Sequence, residues 1–110
     1  MGTCRLLLLG PPLYARDDGA APIKLRKALA LAAYLAVEQR GFLREHLAAL
    51  LWPELGQHGA LANLRRMLTH LRENLGDRCI STDGDLVRLD PAVVDSDLDE
   101  FCSLLRASRP

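Results

Sequence analysis

The residues best suited to chemistry lie between positions 57 and 75. Asn63, Arg66, His70 and Glu73 recur at spacings of three and four, which places them on one side of an α-helix. Arg65, Thr69 and Arg72 run along one flank of that helix, and Leu61, Leu64, Leu68, Leu71 and Leu75 form the opposite stripe. A helix of this kind buries its leucines and offers guanidinium, amide, hydroxyl and imidazole groups to a partner. Arg and Asn make paired hydrogen bonds to base edges in the DNA major groove, which an α-helix fits. Arg, Thr and His also hold phosphates, which fixes position without reading sequence. The plainer alternative is a solvated outer face, the commoner fate of helix charge.

The rest of the chain reads as the frame for this helix. Gln57-His58-Gly59 opens it and Gly76-Asp77 ends it. Alanine-rich Arg26 to Gln39 predicts a first helix, with Leu29, Ala32, Ala33 and Ala36 at helical spacing, Leu25, Tyr34 and Leu35 widening the apolar surface, and Gly41 as the stop. Leu43 to Trp52 predicts a second, with Leu43, Leu47, Leu50 and Leu51 on one face and Pro53 ending it. Only Arg40 to Phe42 separates these two, which suits a helix-turn-helix-like arrangement or an αα-hairpin.

Before the helices, Arg5 to Gly10 is an apolar run stopped by Gly10-Pro11-Pro12, as in a buried strand. Asp17-Asp18-Gly19 signals a turn, and Pro22-Ile23-Lys24-Leu25 alternates like a second strand, so a small N-terminal antiparallel sheet is expected. After the helices, Cys79 to Thr82 and Leu86 to Leu89 flank Asp83-Gly84-Asp85, a hairpin signal. Val93-Val94-Asp95 adds a short strand, and Ser96 or Asp97 caps a last helix carrying Leu98, Phe101, Leu104 and Leu105. The expected class is α+β.

Composition narrows the function classes. The chain has 110 residues, one domain's worth, and 49% of them are hydrophobic, which excludes a disordered tail. Its formal net charge is zero, but unevenly spread: residues 1–78 hold 11 basic and 7 acidic groups (+4), and residues 79–110 hold 3 and 7 (−4). Cys4, Cys79 and Cys102 are odd in number and far apart, and His46, His58 and His70 have no metal-ligand spacing, so no metal and no cofactor is expected. The run Leu6 to Leu9 is too short for a signal peptide or membrane span, so a cytoplasmic chain without membrane contact is expected. Trp52 beside Pro53 reads as core. Asp97, Asp99 and Glu100 read as acidic helix-start residues rather than metal ligands. No Ser/His/Asp set, phosphate-cradling glycine loop or paired-carboxylate pocket stands out, so no enzyme is expected.

The order of elements, together with several motifs, resembles a known family. Arg5-Leu6-Leu7-Leu8-Leu9-Gly10 resembles the opening strand of the OmpR/PhoB-type winged-helix domain of SARP/BTAD-family transcriptional regulators. Lys27 to Ala36 looks like the family's first helix, and Leu47-Ala48-Ala49-Leu50-Leu51-Trp52-Pro53 like its second. Asn63-Leu64-Arg65-Arg66-Met67-Leu68-Thr69-His70-Leu71-Arg72 is similar to its recognition helix, and Val94-Asp95-Ser96-Asp97 to the lead into a following helical domain. The resemblance implies a winged helix with an N-terminal antiparallel sheet, a three-helix core and a C-terminal β-hairpin wing over residues 1–95, with residues 96–110 starting a linker or helix.

It also implies a sequence-specific DNA-binding domain of a bacterial transcriptional regulator, its recognition helix at about 59–75 in the major groove. The DNA-facing residues would be Asn63, Arg65, Arg66, Thr69, His70, Arg72 and, on the wing, Arg88. The implied partners are double-stranded DNA, a second copy on direct repeats, and RNA polymerase. Lys24, Arg26 and Lys27 near the first helix start could also reach phosphate. The alternative is a protein–protein interaction module on the same fold, suggested by the neutral total, Glu73, and the acidic hairpin at Asp83 and Asp85.

Overall fold

Alanine and leucine carry the helical part of the chain. In the computed structural model, which describes residues 4–16, 19–90 and 93–97, three helices form: α1 (Arg26–Glu38), α2 (Arg44–Leu51) and α3 (Gln57–Leu75). Helix α3 is capped by Gly56 and by Gly76, whose positive φ of 101° suits a residue without a side chain and whose amide reaches back to the Arg72 carbonyl at 2.8 Å. Helix α1 stops three residues before Gly41: Gln39 itself adopts the left-handed conformation and returns its amide to the Leu35 carbonyl.

Among the described residues, seven strands complete an α+β fold in two sheets. They are β1 (Cys4–Leu7), β2 (Leu13–Arg16), β3 (Gly19–Pro22), β4 (Phe42–Leu43), β5 (Ile80–Asp83), β6 (Leu86–Leu89) and β7 (Val94–Ser96). The first sheet has the order β3-β2-β1-β7 and the second β4-β6-β5. The expected N-terminal antiparallel sheet is therefore corrected to a mixed one. Strands β1 to β3 are antiparallel, but β7 returns along the free edge of β1 in parallel, pairing Arg5 with Asp95. That register brings Arg5 Nε within 3.2 Å of the Asp95 carboxylate.

The expected strand at 22–25 also moves. Strand β3 ends at Pro22: the Ile23 amide still donates to the Pro12 carbonyl at 2.9 Å, but Pro12 has no amide hydrogen to return the bond, and Leu25 becomes the N-cap of α1. Strand β4, too short to show any alternation, was not foreseen; it pairs Phe42 with Val87 and Leu43 with Leu86. Gly41 permits this approach, since a Cβ there would sit 3.3 Å from the Leu86 Cβ.

Hairpin β5–β6 forms where Asp-Gly predicted it, with Gly84-Asp85 as its two-residue loop. Gly84, at φ 61°, takes the first loop position, where a positive φ favours glycine. The last helix, with Leu98, Phe101, Leu104 and Leu105, lies outside the described residues. The Asp97 carboxylate accepts from the Leu8 amide at 2.8 Å and the Leu9 amide at 3.1 Å.

The core sits between the helices and both sheets. Leu64, Leu68, Leu71 and Leu75 of α3 are fully buried, while Leu61 is half-buried. Burial of each such leucine contributes about 1.5–3 kcal/mol. Helix α1 buries Ala28, Leu31, Ala32, Leu35 and Ala36, a stripe rotated slightly from the expected one, with Leu29 and Ala33 at its margin. On α2, Leu47 and Leu51 are buried but Leu50 is exposed, and Leu43, expected on this helix, is exposed on β4 instead. Trp52 is core, as expected.

Candidate nucleic-acid interface

Helix α3 packs against α2, α1, β2 and β5. These contacts cover its leucine face and both margins to different depths, leaving one strip open. Arg65, Arg66, Thr69 and Glu73 are exposed on that strip. Arg66 does not extend freely from it, because its Nη1 donates to the Asn63 side-chain carbonyl at 2.9 Å. The pair spans one helical turn and limits the orientations of the guanidinium.

Arg72 is half-buried at the margin nearest β5. Its positive charge is felt by Cys79, immediately before β5, where it opposes the rise in the thiol pKa. Burial is the larger effect and pushes Cys79 up to about 12. The thiol is buried and lies 3.6 Å from the Leu71 carbonyl.

His70 departs from the expected pattern. Its ring packs edge-on against Tyr14 of β2, with centroids 5.7 Å apart and planes at 62°. Its Nε2 is buried and has no hydrogen-bond partner among the described residues, and the same holds for the Tyr14 hydroxyl. Asn74, one turn on, donates to the His70 carbonyl at 2.9 Å. His70 is thus half-covered by the first sheet instead of projecting outward as a contact. Burial, helped by the nearby Cys79 thiol, pushes the Tyr14 phenol up to about 12.

Arg88 is exposed on β6. It borders a hollow of about 140 Å³ with Leu35, Gln39, Leu89, Val94 and Ser96. The structure therefore exposes Arg65, Arg66 and Thr69, ties Asn63 to Arg66, leaves Arg72 half-buried, packs the His70 ring on Tyr14 and places Arg88 on β6. It also adds two residues: Arg26 and Lys27 of α1 share an open cleft with Asn63 and Arg66. Basic side chains at the start of a helix gave the sequence signal for this pair; which part of α3 they would meet was not readable.

Glu73 is the one acidic group on the strip, and its carbonyl lies 3.4 Å from Arg16 Nη1. The tip of the β5–β6 hairpin is acidic through Asp83 and Asp85, both exposed. Among the described residues, no cluster of three or more His, Cys, Asp or Glu could hold a metal ion, and no helix is long and apolar enough to cross a membrane. No protein-family model matches the sequence, and no curated protein matches it.

Proposed function

We propose that the chain is a winged-helix DNA-binding domain of the OmpR/PhoB type found in SARP/BTAD-family transcriptional regulators, with α3 as its recognition helix. One observation carries the reading. The strip of α3 opposite the buried leucines exposes Arg65, Arg66 and Thr69, with Arg66 oriented by Asn63. A rigid helix with prepositioned Arg and Asn donors suits base edges and phosphates in the major groove. Strand β4 extends the hairpin sheet to the segment between α1 and α2, and the three helices precede the hairpin in the order this reading needs. In that frame, β5–β6 is the wing, residues 1–95 form the domain, and a bacterial cytoplasmic regulator is its setting. A second copy on direct repeats and RNA polymerase are the further partners it implies.

The test is selection of binding sites from random duplexes, followed by Arg65→Ala and Arg66→Ala. Each substitution should weaken the selected duplex by about 1–3 kcal/mol. Unchanged affinity in both variants at low salt would sink the reading. With few cations on the strip and an acidic hairpin tip, the salt dependence should be shallow.

A protein-interaction role has its own support. Leu43 and Leu86 lie opposite each other on β4 and β6 and are 51% and 39% exposed, an apolar pair beside the acidic tip. Amide shifts confined to residues outside 58–90 during duplex titration would favour that reading.

A further inference from the structure

Between the start of α1 and the side of α3 lies an open cleft of about 320 Å³, lined by Leu25, Arg26, Lys27, Trp52, Asn63, Arg66 and Met67. That volume is at the small end of ligand clefts. Three of the lining residues are cations, and no acidic side chain lines the cleft among the described residues. Two of the three cations are held in place. Lys27 donates to the Leu51 carbonyl at the end of α2, and its ammonium sits 5.8 Å from the centre of the Trp52 ring. Arg66 is tied to Asn63.

That tie also settles what Asn63 can offer. Its side-chain carbonyl is engaged by Arg66, so its remaining polar group is the amide N–H₂, a donor. Arg26, Lys27, Arg66 and Asn63 together make a cleft that donates hydrogen bonds and carries positive charge. Leu25, Trp52 and Met67 wall it with apolar surface, which strengthens the field of the cations by excluding water from one side. The fitting ligand accepts hydrogen bonds without donating, carries negative charge and is compact. A phosphate group meets all three requirements.

We propose that this cleft is a phosphate-binding subsite and that its phosphate belongs to the backbone of a DNA duplex lying along α3. This rests on the function proposed above and deepens it. The cleft joins α1 to the interface, so that Arg66 works beside Arg26 and Lys27 instead of with Arg65 alone. A backbone phosphate seated there would set the register of α3 on the duplex, a positioning contact that carries no sequence information.

The experiment titrates the 110-residue chain with inorganic phosphate and, separately, with a mixed-sequence duplex, following backbone amide shifts and the salt dependence of duplex affinity. The variants are Arg26→Ala and Arg26→Glu, because Arg26 is exposed. Both titrations should move the amides of residues 25–27 and 63–67. Arg26→Ala should lower the slope of log K against log salt by about 0.9, the value of one phosphate contact, and weaken all duplexes alike. Arg26→Glu should weaken them further.

If duplex binding persists with an unchanged slope in both variants, the backbone assignment is overturned while the DNA reading survives. If inorganic phosphate moves the cleft amides but no duplex binds, the DNA reading fails and the pocket's phosphate is a free one. If neither titration moves the cleft amides, the subsite itself is refuted.

Discussion

The two flanks of α3 are built from similar residue types yet have different fates. One carries Arg65 and Thr69, which stand in solvent, with Arg72 at its edge. The other carries His70 and Asn74, which lie against the first sheet, with the His70 ring on Tyr14. Both flanks are polar in sequence and both lie off the leucine stripe. Helical periodicity separates core from periphery, but which periphery is covered is decided by β2, a strand more than 50 residues earlier. A polar face of a helix is therefore one surface in sequence and two in the folded molecule.

The strongest test of this contrast starts from the stripe between the flanks. Leu68→Ala should cost about 2–5 kcal/mol, read by urea unfolding, because the residue is fully buried among three other leucines of the same helix. A cost below 1 kcal/mol would mean that both flanks are mobile and the contrast is empty.

Alkaline pH acts on the covered side. Tyr14 and Cys79 both have folded-state pKa values raised to about 12, above their ordinary values near 10 and 9. A raised acid favours folding below its unfolded pKa and loses that contribution as pH climbs to the folded one. Stability should therefore fall by on the order of 5 kcal/mol, the two groups together, between pH 9 and 12. Combining Tyr14→Phe with Cys79→Ala should flatten that fall, which unfolding curves at stepped pH would show.

Next come paired substitutions on the two flanks. Thr69→Ala should change stability by less than ~0.5 kcal/mol, because its side chain is exposed. His70→Ala should destabilise by about 1 kcal/mol through lost packing on Tyr14, yet leave duplex affinity within about twofold. Equal effects of the two on both thermal melting and duplex titration would erase the distinction.

The smallest effect is the sharpest. Tyr14→Phe at neutral pH should stabilise by up to ~1 kcal/mol, since the hydroxyl is buried without a hydrogen-bond partner among the described residues and its removal leaves the ring contacts intact. A loss of stability would reveal a partner for that hydroxyl.

Much of the frame was legible from spacing. Helix α3 matched its expected bounds because its leucines recur at strict three- and four-residue intervals and glycine marks both ends. The hairpin followed from Asp-Gly between β-rich runs. Helix α1 kept its start and ended one residue early but lost its phase, because eight of its thirteen positions are alanine or leucine and no stripe stands out. Strand β7 was anticipated as a strand, whereas its parallel partner 90 residues away had no local signal. The candidate site was half legible. The exposure of Arg65, Arg66 and Thr69 followed from the helical wheel, but the meeting of Arg26 and Lys27 with Arg66 depends on how α1 crosses α3, and the packing of His70 on Tyr14 depends on a strand invisible at helix level.

The parallel pairing of β1 with β7 has a mechanical consequence. The chain enters the described fold at the start of β1 and leaves it at the end of β7, opposite ends of two strands lying side by side. Tension applied through those two points pulls the strands past each other lengthwise, so their hydrogen bonds, the Asp97 links to Leu8 and Leu9, and the Arg5–Asp95 pair share the load at once. Tension across the open end of the β5–β6 hairpin instead meets its bonds one after another. Single-molecule stretching through residues 4 and 97 should therefore rupture at higher force than stretching through residues 80 and 89, making the seam where the chain closes on itself the part that resists a pull best.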